Sequence, residues 1–360
     1  MKVRSAVLVE RGGPLDVREL TLAPPQEGEL LVRIEAAGLC HSDLSVIDGS
    51  RPRPLPMALG HEAAGVVAAS RSREFVPGDH VVLTFVPACG SCPPCVAGRP
   101  ALCGPGAAAN RAGALLGGGR RLGEVFHHLG VSAFSEYAVV SARSAVRVPP
   151  GLPFEVAALF GCAVLTGAGA ALHAAGVGPR DSVAVFGLGG VGLSALLAAR
   201  AAGVSTLVGV DLVEGKRDLA LSLGATHAVP GGPGAVDHVR ELTGGGAVKV
   251  VDTTGVAPVL AQAYAATAPG GVTVTVGLPA PGAALTVPAL SLVAEEKTLR
   301  GSYLGSCVPR RDVPRFIAMY ESGVLPVDRL LSGRLRLDEV NEGFDRLASG
   351  EAVRQVVIMR

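Results

Sequence analysis

The chain has 360 residues, 49% of them hydrophobic, and a net charge of +1 from 32 basic and 31 acidic side chains. That length exceeds one ordinary core, so two domains are expected. The balanced charge, the scattered Lys and Arg and the few aromatics give no basic tract or stacking surface, which excludes a nucleic-acid binder. The opening Met1-Lys2-Val3-Arg4-Ser5 is charged and runs into a strand-like segment, without an apolar stretch and cleavage site. A cytoplasmic protein without a membrane partner is expected.

In chain order, Leu30 to Glu35 alternates like a half-buried strand. Ala64 to Ala69, His80 to Leu83, Tyr137 to Val140 and Ala145 to Val148 read similarly, and Pro77-Gly78-Asp79 marks a turn. Short strands at this spacing predict a small barrel-like domain. Gly104 to Arg121 is rich in Gly and Ala without periodicity and predicts a mobile surface loop. Gly161 to Gly178, mostly Ala and Gly with His173 inside, predicts a buried helix rather than a membrane span.

Beyond residue 160 the pattern changes. Val183 to Phe186, Leu207 to Val210, Val248 to Val251 and Val272 to Val276 are continuous apolar strands. Helical stretches alternate with them at Val191 to Ala202, Glu214 to Leu223, Val236 to Leu242 and Pro258 to Thr267. This is the signature of an α/β, doubly wound parallel sheet covered on both faces. Helices at Arg311 to Ser322 and Asp338 to Ser349, and a strand at Arg354 to Met359, are expected to rejoin the first domain. The predicted domains are therefore 1–160 with 302–360, carrying a lobe at 87–104, and 161–301.

Seven cysteines in a long chain without a leader favour metal over disulfides. Cys89-x2-Cys92-x2-Cys95-x7-Cys103 places four thiols within fifteen residues, enough to close a tetrahedral zinc site with no open position. Gly90, Pro93 and Pro94 let the backbone wrap around it. Such a site is structural, so Cys95→Ser is expected to lower stability more than it alters the chemical step. Cys40, His61 and Cys162 form a different set: two thiolates and an imidazole leave the fourth corner of a zinc tetrahedron open. Cys307 is read as a bystander.

Gly187-Leu188-Gly189-Gly190-Val191-Gly192 follows a short apolar strand and opens a helix. In that context the glycines suit a dinucleotide: Gly187 for the turn, Gly189 for the approach of pyrophosphate, Gly192 for close helix packing. The helix N-terminus offers N–H groups to the phosphates. Asp211, at the end of the next strand, suits an acceptor for ribose hydroxyls and repels a 2′-phosphate, so NAD is favoured over NADP. Lys216 is a candidate flank of the ribose. An open metal beside such a site suits hydride exchange between an alcohol and a carbonyl.

These motifs, with Phe134-Ser135-Glu136-Tyr137, resemble a zinc-dependent alcohol dehydrogenase of the medium-chain dehydrogenase/reductase superfamily over essentially the full length. The later part looks closest to the branch containing glutathione-dependent formaldehyde dehydrogenases. The resemblance implies a GroES-like catalytic domain and a Rossmann domain. It implies NAD and two zinc ions per chain and a small alcohol, aldehyde or ketone as substrate. A homodimer paired through sheet-edge strands near Val272 to Val276 is expected, with a tetramer as the alternative. By position, Cys40, His61 and Cys162 hold catalytic zinc, Asp43 fixes His61, Glu62 lies behind the metal and Ser42 relays the alcohol proton. Phe85, His128 and Leu129 match substrate-pocket positions. Thr166 and Val191 match nicotinamide contacts, His41 and Arg354 match pyrophosphate contacts, and Val276 joins the cofactor-binding positions.

Three departures from the family pattern stand out. Ser45 occupies the position where the proton relay usually continues to a histidine. Ser42 stands where Thr is common, which leaves room for a bulkier substrate. Arg51 and Ala107 occupy the positions of the acid and the arginine that hold the glutathione adduct, which argues against that carrier. Two alternatives remain beside an alcohol dehydrogenase: a thiol-adduct formaldehyde dehydrogenase with another carrier, and a catalytically silent zinc- and NAD-binding protein.

Overall fold

The computed structural model describes residues 1–359, which divide into two compact units. The first takes in Met1–Cys162, Val308–Ile317 and the C-terminal stretch from Asp328; the second takes in Ala163–Cys307 and Ala318–Val327.

The first unit is built on the strand Glu29–Gly38. Along one side it pairs antiparallel with Ala63–Ser70, from Leu30 opposite Ser70 to Ala37 opposite Ala63. Its other side is shared: Tyr137–Ser141 pairs with its first half and Arg354–Ile358 with its end. His80–Leu83 and Ala145–Arg147 extend the sheet beyond Ala63–Ser70, and Leu331–Leu335 adds a parallel strand to Arg354–Ile358. A second sheet joins Lys2–Leu8 to Leu15–Thr21 and the short strands Met57–Ala58 and Phe126–His127. Alternation in these strands sends Leu30, Val32 and Ile34 into one core with Val81, Leu83, Val140 and Phe134.

The second unit is a six-stranded parallel sheet in the order His227–Pro230, Thr206–Asp211, Ser182–Phe186, Ala247–Asp252, Thr267–Thr275, Thr298–Gly301. Numbered along the chain this is 3-2-1-4-5-6, the doubly wound order with a switch point at the first strand. Buried on both faces, the central strands carry Val183, Ala184, Val185, Phe186 and Val250, Val251 at near-zero exposure.

The structure corrects two expectations. Gly104 to Arg121 is not a structureless loop, because Gly104–Ala112 forms a helix. Its composition carries no apolar stripe; the helix is held by a cap, since Cys103 Sγ accepts the Gly106 N–H, and by burial of Gly106 and Asn110. The strand ending at Val272 to Val276, read as a subunit-pairing edge, is interior and paired on both sides; the edge is Thr298–Gly301. The segment from Gly161 forms the buried helices Ala163–Gly169 and Ala170–Ala175. Among the described residues no helix is long and apolar enough to cross a membrane.

Candidate active site

The first unit brings Cys40, His61 and Cys162 together, with their ligand atoms all within 4.8 Å of one another. Cys40 precedes the helix His41–Ile47 in extended conformation (φ −134°, ψ 150°) and makes no side-chain cap, which keeps its thiol available. His61 follows Gly60, whose φ of +91° and contact with the Phe134 backbone leave no room for a Cβ. Cys162 follows the helix Phe154–Leu159, and Gly161 lies so close to the Leu83 carbonyl that it too admits no side chain.

Asp43 orients the imidazole. His61 Nδ1 lies 3.0 Å from Asp43 Oδ2, and the Gly60 N–H donates to Oδ1 at 3.1 Å. His128 Nδ1 comes within 2.9 Å of the same carboxylate. Burial alone would raise Asp43, but the two imidazoles hold it well below the ordinary carboxylate range. With Nδ1 committed, His61 Nε2 is buried without a protein partner, as a ligand atom must be.

The thiols respond to each other. Hydrogen bonding between them pulls Cys40 well down and pushes Cys162 well up. Divalent zinc suits this donor set, because it binds both as thiolates and takes the free Nε2. Burial pushes Glu62, next to His61, up to about 7 against the opposing charge of Arg354. Arg354 donates to Glu62 Oε1 at 2.6 Å and to the Leu39 carbonyl at 2.8 Å. The position matched to pyrophosphate is thus turned inward.

The Phe85 and His128 rings both meet the His61 ring edge-on, at centroid distances of 5.6 and 5.3 Å. Leu129 is buried beside them in sequence with φ +51°. Ser42 is half-buried on the helix His41–Ile47, His41 is exposed, and Ser45 Oγ is tied to the His41 carbonyl at 2.9 Å. Sequence reasoning missed the contact of His128 with Asp43 and the buried Glu62–Arg354 pair. Neither leaves a local pattern.

Cys89, Cys92, Cys95 and Cys103 form a second cluster, again within 4.8 Å. The N–H groups of Ser91 and Cys92 pull Cys89 down to about 6, while desolvation pushes Cys95 up to about 12. Cys103 Sγ accepts N–H groups from Cys89 at 3.2 Å and Gly106 at 3.4 Å. Four thiols with N–H donors aimed at sulfur suit a closed zinc site.

In the second unit the helix Gly190–Ala201 starts at Gly189 without a side-chain cap, leaving its first N–H groups for an anion. Gly187 has φ +87°, and a Cβ on Gly192 would collide with the Gly187 carbonyl. Asp211 accepts from the N–H of Leu188 at 2.7 Å and of Val213 at 2.9 Å, which fixes its carboxylate against the glycine turn. Lys216 is half-buried on the following helix Glu214–Ser222. Gly167 packs against the Val191 carbonyl, and the hydroxyl of adjacent Thr166 is buried without a partner. Val276 continues from the strand Thr267–Thr275 and donates its N–H to Asp252.

Comparison with known proteins agrees with this chemistry. Residues 26–150 match the family described as alcohol dehydrogenase GroES-like domain, and residues 190–322 match zinc-binding dehydrogenase. The chain is 42% identical to a geraniol dehydrogenase of Castellaniella defragrans, over 99% of this chain and 98% of that protein. It is 40% identical to an NDMA-dependent alcohol dehydrogenase of Amycolatopsis methanolica, over 99% of each. The crystal structure of a benzyl alcohol dehydrogenase from Acinetobacter calcoaceticus superposes with a TM-score of 0.95 at 34% identity, covering all of both chains. The chain belongs to the zinc-dependent alcohol dehydrogenases of the medium-chain dehydrogenase/reductase superfamily, and it is an oxidoreductase acting between an alcohol and a carbonyl.

Proposed function

We propose that the enzyme oxidises a primary allylic or aromatic alcohol with NAD, using one zinc at Cys40, His61 and Cys162 and a second at the four-cysteine lobe. The observation that carries this reading is the buried Nε2 of His61, without a hydrogen bond and with the Cys40 and Cys162 thiols within 4.8 Å. When bound, the catalytic zinc acts as a Lewis acid on the alcohol oxygen. Asp43 orients His61. Ser42 takes the alcohol proton and passes it toward ribose and water. Ser45 does not replace the usual histidine, because its hydroxyl is occupied by the His41 carbonyl. Phe85 and Leu129 offer apolar surface to the substrate, in keeping with the geraniol and benzyl alcohol relatives. The fixed carboxylate of Asp211 favours NAD.

Residues 1–160 with 302–360 act in catalysis and 161–301 hold the cofactor, except that 302–307 and 318–327 belong to the compact unit of the cofactor half. A cytoplasmic homodimer is the assembly we favour. The edge strand Thr298–Gly301 lies just after the helix Ala289–Ala294, where Leu290 and Val293 are 78% and 77% exposed. Light scattering tests the dimer. Geraniol and benzyl alcohol, assayed with NAD, NADP and NDMA as acceptors beside zinc analysis, test the rest. Turnover with NAD and two zinc ions per chain supports the proposal. Turnover with NDMA alone, formaldehyde activity that requires an added thiol, or no turnover with one zinc would overturn it.

A further inference from the structure

The helix Gly104–Ala112 links the four-cysteine lobe to the segments that carry Phe85 and His127. At its start, Cys103 is both a thiol of the lobe and the helix cap, accepting from Gly106 N–H at 3.4 Å. Gly106 lies against the Pro87 carbonyl with no space for a Cβ, so the helix sits directly on the 85–87 backbone. One turn later Asn110, only 7% exposed, donates Nδ2 to the Phe85 carbonyl at 2.8 Å. The Asn110 carbonyl takes Arg53 Nη1 at 3.2 Å, and the Gly113 carbonyl takes the His127 N–H at 2.8 Å. The Phe85 ring then meets His61.

Asn110 Oδ1 is buried without a partner. An apolar residue of the same volume would fill the space without that desolvation cost, so the amide contributes its donor to Phe85 rather than bulk. We propose that Asn110 is a positioning residue for substrate. It fixes the Phe85 backbone and, through the helix and Cys103, makes the shape of the substrate pocket depend on the folded four-cysteine lobe. The inference rests on the reading of Phe85 as a pocket wall.

The test uses the full, metal-loaded chain. In Asn110→Ala, amide hydrogen exchange over residues 83–87 should speed up. Benzyl alcohol, titrated into the enzyme–NADH complex where no reaction can occur, should bind about five- to tenfold more weakly. The kcat should stay within about twofold and the KM for NAD unchanged, because the lost hydrogen bond touches neither the metal ligands nor the cofactor cradle. Asn110→Ser, which keeps a short donor, should recover part of the binding. Cys95→Ser should weaken benzyl alcohol binding as well, and the double variant should lose less than the product of the two effects. Unchanged exchange over 83–87 overturns the positioning role. So does equal damage in both Asn110 variants accompanied by loss of the catalytic metal. Effects that simply multiply overturn the link to the lobe. A wild-type enzyme that turns over no alcohol, while Asn110→Ala still loosens 83–87, would sink the functional reading and leave the positioning intact.

Discussion

Arg354 Nη1 donates to Glu62 Oε1 at 2.6 Å, and neither side chain is more than 4% exposed. Glu62 directly follows His61, and Leu39, whose carbonyl the same guanidinium nitrogen holds, directly precedes Cys40. One guanidinium from the C-terminal strand Arg354–Ile358 therefore ties together two segments that carry candidate metal ligands.

Removing the arginine strands a buried acid. Arg354→Met should destabilise the protein by about 3–5 kcal/mol, read from denaturant unfolding. Arg354→Met combined with Glu62→Gln should regain part of that loss, because the uncompensated charge is gone. A single variant as stable as the wild type would show that the pair is not needed.

Asp43 holds the Nδ1 side of His61 and so leaves Nε2 for a metal. Asp43→Asn should lower metal affinity at this site, or activity, by about 10–100-fold. Competition with a chromophoric chelator reads the affinity directly, with metal binding by the four-cysteine cluster measured alongside as an internal reference. Equal retention at both sites would contradict the role assigned to Asp43.

Acid should destabilise the protein through His127. Burial, followed by the charges of Arg121 and Arg120, pushes this imidazole from its ordinary value near 6.5 down to about 4. Its neutral Nε2 accepts the Arg121 N–H at 3.0 Å. A lowered folded value means that the unfolded chain binds the proton more readily. The contribution is whole above pH 6.5 and falls away between 6.5 and 4. It amounts to about 3 kcal/mol at the acid end. His127→Gln, which retains an acceptor, should flatten the stability profile across that window; an unaltered slope would assign the acid sensitivity elsewhere.

Asp211 has two tasks. Its carboxylate is the candidate ribose acceptor, and it also anchors the glycine turn through Leu188 N–H. Asp211→Gly should narrow the NAD over NADP preference in kcat/KM and also lower the melting temperature by a few degrees, since a part-buried hydrogen bond is lost. An unchanged cofactor ratio would mean that other groups set the preference.

Much of the second unit was legible because its signals are local. The strand Ser182–Phe186, the glycine turn and Asp211 lie within one stretch of chain, and each apolar run marks a strand buried on both faces. The edge strands His227–Pro230 and Thr298–Gly301 escaped notice because neither carries a long apolar run. The helix Gly104–Ala112 was illegible for a related reason: a cap by the Cys103 thiol and one buried amide hold it, and neither produces periodicity.

The candidate chemistry was readable from the chain alone: four clustered thiols that suit a closed metal site, two further cysteines and a histidine that suit an open one, and a glycine turn with an acid that suits a dinucleotide. Those depend on residue type and short spacing, which the chain carries directly. Tertiary packing was needed to make Cys40, His61 and Cys162 converge. It also decided that His128 shares Asp43 with His61, that Arg354 turns toward Glu62 and that Asn110 holds Phe85. Those contacts join residues far apart along the chain, and their partners are chosen by packing and by the cost of leaving a buried polar group unpaired.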